Sequence, residues 1–228
     1  MQVEFSEHDH VMWIRLNRPE KLNAITLDMA SQFCALIEHA NTNPAIRVVI
    51  LSGSGRAFCA GRDITEPPSA AMLELVQQVS TSIVSSPKIF IAAVQGWAVG
   101  AGLEWILNCD VTLFSESARG RFPEVTLGVF ASGGALALLP RIVGLLRAKA
   151  LLLLGTELTA GQMKQLGIAS ELVPDAELYE RASSMGRQLA GYSPDVVSRF
   201  KRALNMLSVG DFDQALQIEN QMHRELGH

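Results

Sequence analysis

The stretch Ile91-Ala-Ala-Val-Gln-Gly-Trp-Ala-Val-Gly-Ala-Gly-Leu-Glu104 changes character half-way along. Ile89 to Val94 is a short apolar run that reads as a strand. Gly96 to Gly102 is a small-residue turn, and Leu103, Ile106 and Leu107 then fall at helical spacing. A strand that passes through glycines into a helix is the repeating unit of a parallel α/β sheet. Small residues at such a turn let a ligand approach the main chain. The first N–H groups of the helix are unpaired and carry partial positive charge.

The same unit recurs on both sides. Val11 to Leu16 reads as a strand that ends at Asn17-Arg18-Pro19. Thr26 can cap a helix running to about Asn41, with Met29, Phe33, Leu36 and Ile37 on one face. Val48 to Ser52 is a second strand, entering a loop from Gly53 to Asp63, and Ala70 to Ser85 reads as a helix. Val111 to Phe114 is a further strand. Beyond Gly133 the pattern turns helical, over Ala135–Leu139, Leu145–Leu154, Ala160–Gln165, Ala176–Ala190, Pro194–Leu207 and Phe212–Leu226. Ile168 to Val173 can add one more strand. With no long linker, the expectation is one α/β domain over 1–228, with a core to about 134 and a mainly helical region over about 135–228.

Composition narrows the function. At 48% apolar residues the chain can build a large core, and a net charge of −4 leaves no basic footprint for nucleic acid or an anionic membrane. Cys34, Cys59 and Cys109 are odd in number and form no CxxC pair, which fits free thiols in a reducing compartment. The N-terminus has neither the basic nor the apolar region of a signal peptide, and the apolar run near Ala148–Leu154 is too short to span a bilayer. The expected setting is cytoplasmic. No set of His, Cys, Asp or Glu has metal-ligand spacing, and no phosphate-binding GxxxxGK[ST] loop or GxSxG elbow occurs.

Two carboxylates follow the central turn: Glu104 two residues after Gly102, and Glu124 in Arg121-Phe-Pro-Glu124-Val-Thr-Leu-Gly128. Exposed amides beside two carboxylates suit a site that holds an oxyanion and moves protons. Each glutamate alone reads equally as an acidic residue complementing a helix N-terminus. The loop Phe58-Cys-Ala-Gly-Arg-Asp63 repeats the small-residue character after another strand, and two such loops at the ends of parallel strands favour a ligand site. Asp63 and Asp110 read as loop braces. Trp97, Trp105 and Phe130 can line an acyl pocket or simply fill the core.

Taken together, Leu16-Asn-Arg-Pro-Glu-Lys-Leu-Asn-Ala24, Arg56-to-Asp63, Ile91-to-Gly96, Gly100-to-Glu104, Cys109-Asp110, Phe122-to-Gly128, Leu138-to-Gly144 and Ala160-to-Val173 resemble the crotonase superfamily, in order and spacing, over nearly the whole chain. The resemblance implies a spiral of ββα turns, a homotrimer or dimer of trimers, and an acyl-CoA substrate, with coenzyme A part of that substrate and no separate cofactor. It places the Arg62 and Ala101 amides in the oxyanion hole and Glu104 and Glu124 at the two catalytic positions of hydratases. It places coenzyme A against Lys21, Leu22, Arg56, Phe58, Ala60 and Gly61, with Lys21 and Arg56 near the phosphates. Against the family pattern, Ala101 stands where glycine is frequent, Gly128 to Gly134 lacks the usual proline, and the helical end is shortened.

The leading reading is a 2-enoyl-CoA hydratase using both glutamates. A double-bond isomerase using Glu124 alone is the runner-up. A non-catalytic acyl-CoA-binding relative is a third reading, and the retention of both carboxylates counts against it.

Overall fold

The computed structural model describes residues 1–67 and 69–226. Its first half is built from strand–strand–helix units. The first comprises β1 (Val3–His8), β2 (Val11–Leu16) and α1 (Leu27–Thr42), and the second β3 (Val48–Gly53), β4 (Ala57–Cys59) and α2 (Ala70–Val84). The third comprises β5 (Ile89–Val94), β6 (Trp97–Val99) and α3 (Ala101–Leu107), and the fourth β7 (Val111–Ser115), β8 (Arg119–Arg121) and α4 (Glu124–Leu127). From the second unit onward, one strand of each pair joins a large sheet ordered β1-β2-β3-β5-β7, and the other joins a small sheet ordered β4-β6-β8. All pairings in these rows are parallel except β1 with β2. This is the α/β spiral of ββα turns.

The remaining elements are α5 (Ala135–Val143), α6 (Leu145–Leu154), β9 (Leu158–Thr159), α7 (Ala160–Gln165), β10 (Glu171–Val173), α8 (Leu178–Ala190), α9 (Pro194–Ser208) and α10 (Phe212–Glu225). β9 extends the small sheet and β10 the large one. α5 runs beyond the expected end at Leu139 and carries Pro140 within it. That proline gives up one amide bond but keeps a helical φ. The helix expected from Ala176 begins at Leu178, after a 3-10 turn over Asp175–Glu177.

The two-residue period of β3 explains why both of its faces are apolar. Val49 and Leu51 join the main core with α1 and α2, while Val48 and Ile50 face a second layer containing Leu178, Ala182 and Ala190 of α8. α1 starts where Thr26 accepts a hydrogen bond from the Met29 amide at 3.1 Å, an ordinary N-cap. No helix among the described residues is long and apolar enough to cross a membrane.

Candidate active site

The C-terminal end of β6 delivers the chain into Gly100, whose φ of 50° and ψ of −127° is open only to glycine. α3 then begins at Ala101, whose N–H has no carbonyl one turn back within the helix. Gly102 serves packing as well: a Cβ there would stand 2.6 Å from the Cys59 Cβ, so α3 can lie this close to β4 only through a glycine. The Phe58-to-Asp63 loop runs alongside. A Cβ built on Gly61 would come within 3.9 Å of the Ala101 nitrogen. Ile25 bridges this loop by donating to the Gly61 carbonyl and accepting from the Asp63 amide, at 2.8 and 2.9 Å. That parallel bridge leaves the Arg62 N–H on the opposite side from Ile25. Sequence-distant amides at Arg62 and Ala101 thus belong to adjoining loops.

The loops are braced from below. Asn23, fully buried with φ of 55°, donates to the carbonyls of Ser54, Ala57 and Phe58 and accepts from the Arg18 amide. Asp63 accepts from the Thr65 hydroxyl at 2.7 Å and from Arg18 at 2.6 Å. Thr65 first, and Arg18 after it, hold this carboxyl down at about 2. Asp110 is also a brace, bonded to the Phe90 amide and, at 2.9 Å, to the buried Lys201 of α9.

Both glutamates are buried. Glu104, 1% exposed, sits in the first turn of α3. Its Oε2 accepts from the Gly133 amide at 2.7 Å and the Ala135 amide at 3.3 Å, and the Ser132 amide lies 3.3 Å from both oxygens. Burial pushes this carboxyl up, and those amides work against the rise. Glu124, 7% exposed, opens α4 after Pro123. A Cβ on Gly100 would stand 3.0 Å from Glu124 Oε1, which puts this carboxyl over the glycine turn. Its Oε2 is buried with no hydrogen-bond partner among the described residues. Burial and then the Glu104 charge push Glu124 up to about 8.

A third carboxylate, absent from the sequence-based site, completes the cluster. Glu219 of α10 is fully buried and accepts from the Gly134 amide at 3.1 Å and the Leu136 amide at 3.2 Å. Burial, then Glu104, push it up to about 8. Four residues on, His223 meets the Ala131 carbonyl at 3.1 Å and stands edge-on to Phe130, with ring centroids 6.0 Å apart. The helix itself is expected from the sequence, but no pattern assigned Glu219 to the site, because a charged residue on an amphipathic helix ordinarily faces water.

The aromatic residues separate. Phe130 borders the turn that binds Glu104. Trp105 does not reach the site as an acyl-pocket wall would: it is wholly buried, donates to the Val76 carbonyl at 3.2 Å, and packs edge-on against Phe33 at 5.0 Å. Its position on α3, next to Glu104, turns it through about 100° into the α1–α2 layer. Trp97 faces a depression of about 310 Å³ shared with Leu22, Arg56, Gly96, Ser117 and Arg119, and neither glutamate lines it. Of the expected coenzyme A residues, Lys21 and Arg56 are exposed, Leu22 and Ala60 are half-buried, and Phe58 and Gly61 are buried. Ala60 donates to the Leu22 carbonyl at 3.0 Å, which joins the two segments.

Residues 6–228 match the family model described as enoyl-CoA hydratase/isomerase. The chain belongs to this family. Within it, the chain is 33% identical to the 2,3-dehydroadipyl-CoA hydratase of Escherichia coli, over 95% of this chain and 87% of that protein. It is 32% identical to the 1,2-epoxyphenylacetyl-CoA isomerase of the same organism, with the same coverages. The crystal structure of an enoyl-CoA hydratase from Mycobacterium avium subsp. paratuberculosis superposes with a TM-score of 0.94 at 29% identity, covering 99% of this chain and 93% of that one. The crotonase fold and general enoyl-CoA hydratase/isomerase class are therefore established. Relatives of near-equal similarity carry hydratase and isomerase names, so similarity does not choose between the two reactions.

Proposed function

We propose that this crotonase-family protein adds water across the 2,3 double bond of a 2-enoyl-CoA thioester. The observation that carries the reading is the meeting of two unlike buried carboxyls over one glycine turn. Glu104 has an amide shell that favours its charged form, and Glu124 has a raised titration and an unpartnered oxygen. The thioester oxygen lies between the Arg62 and Ala101 N–H groups, which stabilise the enolate as it forms. Glu104, whose Oε1 meets only the Ser132 amide at 3.3 Å and keeps a lone pair for a further partner, orients a water and takes its proton as oxygen bonds to C3. Glu124 delivers its proton to C2, and transfer of the water's proton from Glu104 to Glu124 restores the starting state. Lys21 and Arg56 face the coenzyme A phosphates, and the Phe58–Gly61 main chain faces the adenine.

A second reading has its own support. The Glu104 carboxylate is engaged by three amides and is 1% exposed, as a structural cap would be, whereas Glu124 is free to act. In that reading Glu124 alone shuttles a proton between two carbons and the protein is a double-bond isomerase. Incubation with crotonyl-CoA and longer 2-enoyl thioesters, followed by loss of enoyl absorbance, and with 3-enoyl-CoA, followed by product identification, separates the two. Hydration is the expected outcome; isomerisation without hydration contradicts it.

We also infer assembly into a homotrimer or a dimer of trimers. Leu145, Leu146, Leu153 and Leu154 of α6 are each more than 60% exposed, and exposed apolar clusters of this kind mark contact surfaces. Sedimentation at micromolar concentration tests this, and a monodisperse monomer refutes it.

A further inference from the structure

The turn from Ser132 to Leu136 offers five successive backbone N–H groups at the start of α5, and two carboxylates divide them. Glu104 takes those of Ser132, Gly133 and Ala135. Glu219 takes those of Gly134 and Leu136, one on each oxygen. The turn has no cap of its own, since Gly134 occupies the N-cap position at φ of 86° and has no side chain to offer. α10 closes on it tightly: a Cβ on Gly134 would stand 2.4 Å from Phe212 Cζ.

We propose that Glu219 is a positioning residue of the acidic site, clamping the Ser132–Leu136 turn from α10 so that the remaining amides hold the Glu104 carboxylate in its reactive orientation. Energetic cost favours this role. Two buried amides can be satisfied by a neutral side chain or a local Ser or Asn cap. A fully buried carboxyl beside two others is an expensive way to do the same, because each charge disfavours the next. Its charged neighbours are Glu104 from α3 and Glu124 from α4. From α5, Arg141 lies against the Ala137 carbonyl and Gly210. On α10 itself His223 meets Ala131, and from α2 the neutral Gln77 bonds Asn220. None of these is a cation bonded to Glu219, so its titration, raised to about 8 by burial and then by Glu104, is coupled to those of the other two carboxyls.

This inference rests on the hydratase reading for its kinetic part and on the cluster alone for its titration part. The experiment compares parent, Glu219→Gln and Glu219→Asp by hydration of crotonyl-CoA and by carboxyl-carbon NMR titration of the free protein. With Glu219→Gln, kcat is expected to fall about 10- to 100-fold with KM within about threefold, because the reacting group is misplaced rather than the substrate released. The Glu124 midpoint is expected to drop, because the two carboxyls are coupled and one of them no longer ionises. Glu219→Asp keeps the ionisable carboxyl but falls one methylene short, so it should lose kcat while leaving that midpoint in place; it also decides the matter if the Gln variant does not fold. A folded Gln variant with kcat within about threefold of the parent overturns the proposal. So does one that loses thermal stability while the Glu124 midpoint stays put, since that is a structural cap and nothing more. If the parent itself hydrates nothing, the hydratase reading falls, and the titration alone decides the role of Glu219.

Discussion

Gly133 lies so close to Glu104 that a Cβ built on it would stand 2.8 Å from the Glu104 Cβ and 3.3 Å from Oε2. The same residue donates the shortest hydrogen bond that carboxylate receives, at 2.7 Å. Absence of a side chain at 133 and placement of the Glu104 carboxylate are therefore one requirement. Gly133→Ala must push either the turn or Glu104 aside. Hydration is expected to fall about 10- to 100-fold, with KM little changed. Stopped-flow or steady-state kinetics on the folded variant check this, and parental kcat in Gly133→Ala would show that Glu104's position is not critical.

The oxyanion assignment has an equally local test. Ala101 is the first residue of α3, the one helical position where proline fits without breaking a bond. Ala101→Pro should therefore fold, as circular dichroism can verify, yet lack the N–H assigned to the thioester oxygen. Turnover is expected to fall at least about 100-fold. Near-parental turnover in the folded variant would place the oxyanion donor elsewhere.

Charge sets a pH dependence of both rate and stability. Glu124 rises from 4.5 to about 8 in the folded protein, through burial first and Glu104 second. Between those values the folded chain holds a proton that the unfolded chain has released, so stability falls as pH rises across the window. Glu124→Gln removes that cost. Its thermal midpoint should exceed the parent's at pH 9 and match it near pH 4, with a gain of at least about 1 kcal/mol at the higher pH. In the parent, hydration should decline above about pH 8, where the C2 proton donor ionises. Calorimetry across pH measures the first, and a gain independent of pH would contradict it.

Much of this architecture is legible in the chain, and the rest is hidden for identifiable reasons. Val48 to Gly53 and Ile89 to Val94 are apolar on both faces because both faces are covered, so they stand out. β4, β6 and β8 have three residues each and show no period; their strand character comes only from pairing within the second sheet. β1 is exposed at all but Val3, and its turn to β2 uses Asp9 and His10 at positive φ in place of the glycine that would have announced it. The glycine turn and both glutamates are readable because local chemistry explains them. Glu219 is not, since its partners are backbone amides on α5, and no spacing in the sequence records which helix will cover a turn. Trp105 is a case where the residue type suggested a pocket and the helical angle decided for the core.

Joint action of Glu104 and Glu124 on water addition is the core of the proposed mechanism. Gln in place of either keeps shape and most hydrogen bonding but removes ionisation. The decisive measurement is crotonyl-CoA hydration, with 3-enoyl-CoA isomerisation in parallel, for Glu104→Gln, Glu124→Gln and the double variant. Each single change is predicted to lower hydration by about 10²–10⁴, and the double variant to lose far less than the product of the two. Hydration by Glu104→Gln within about threefold of the parent, with Glu124→Gln inactive in isomerisation, would contradict joint action and leave a one-base isomerase.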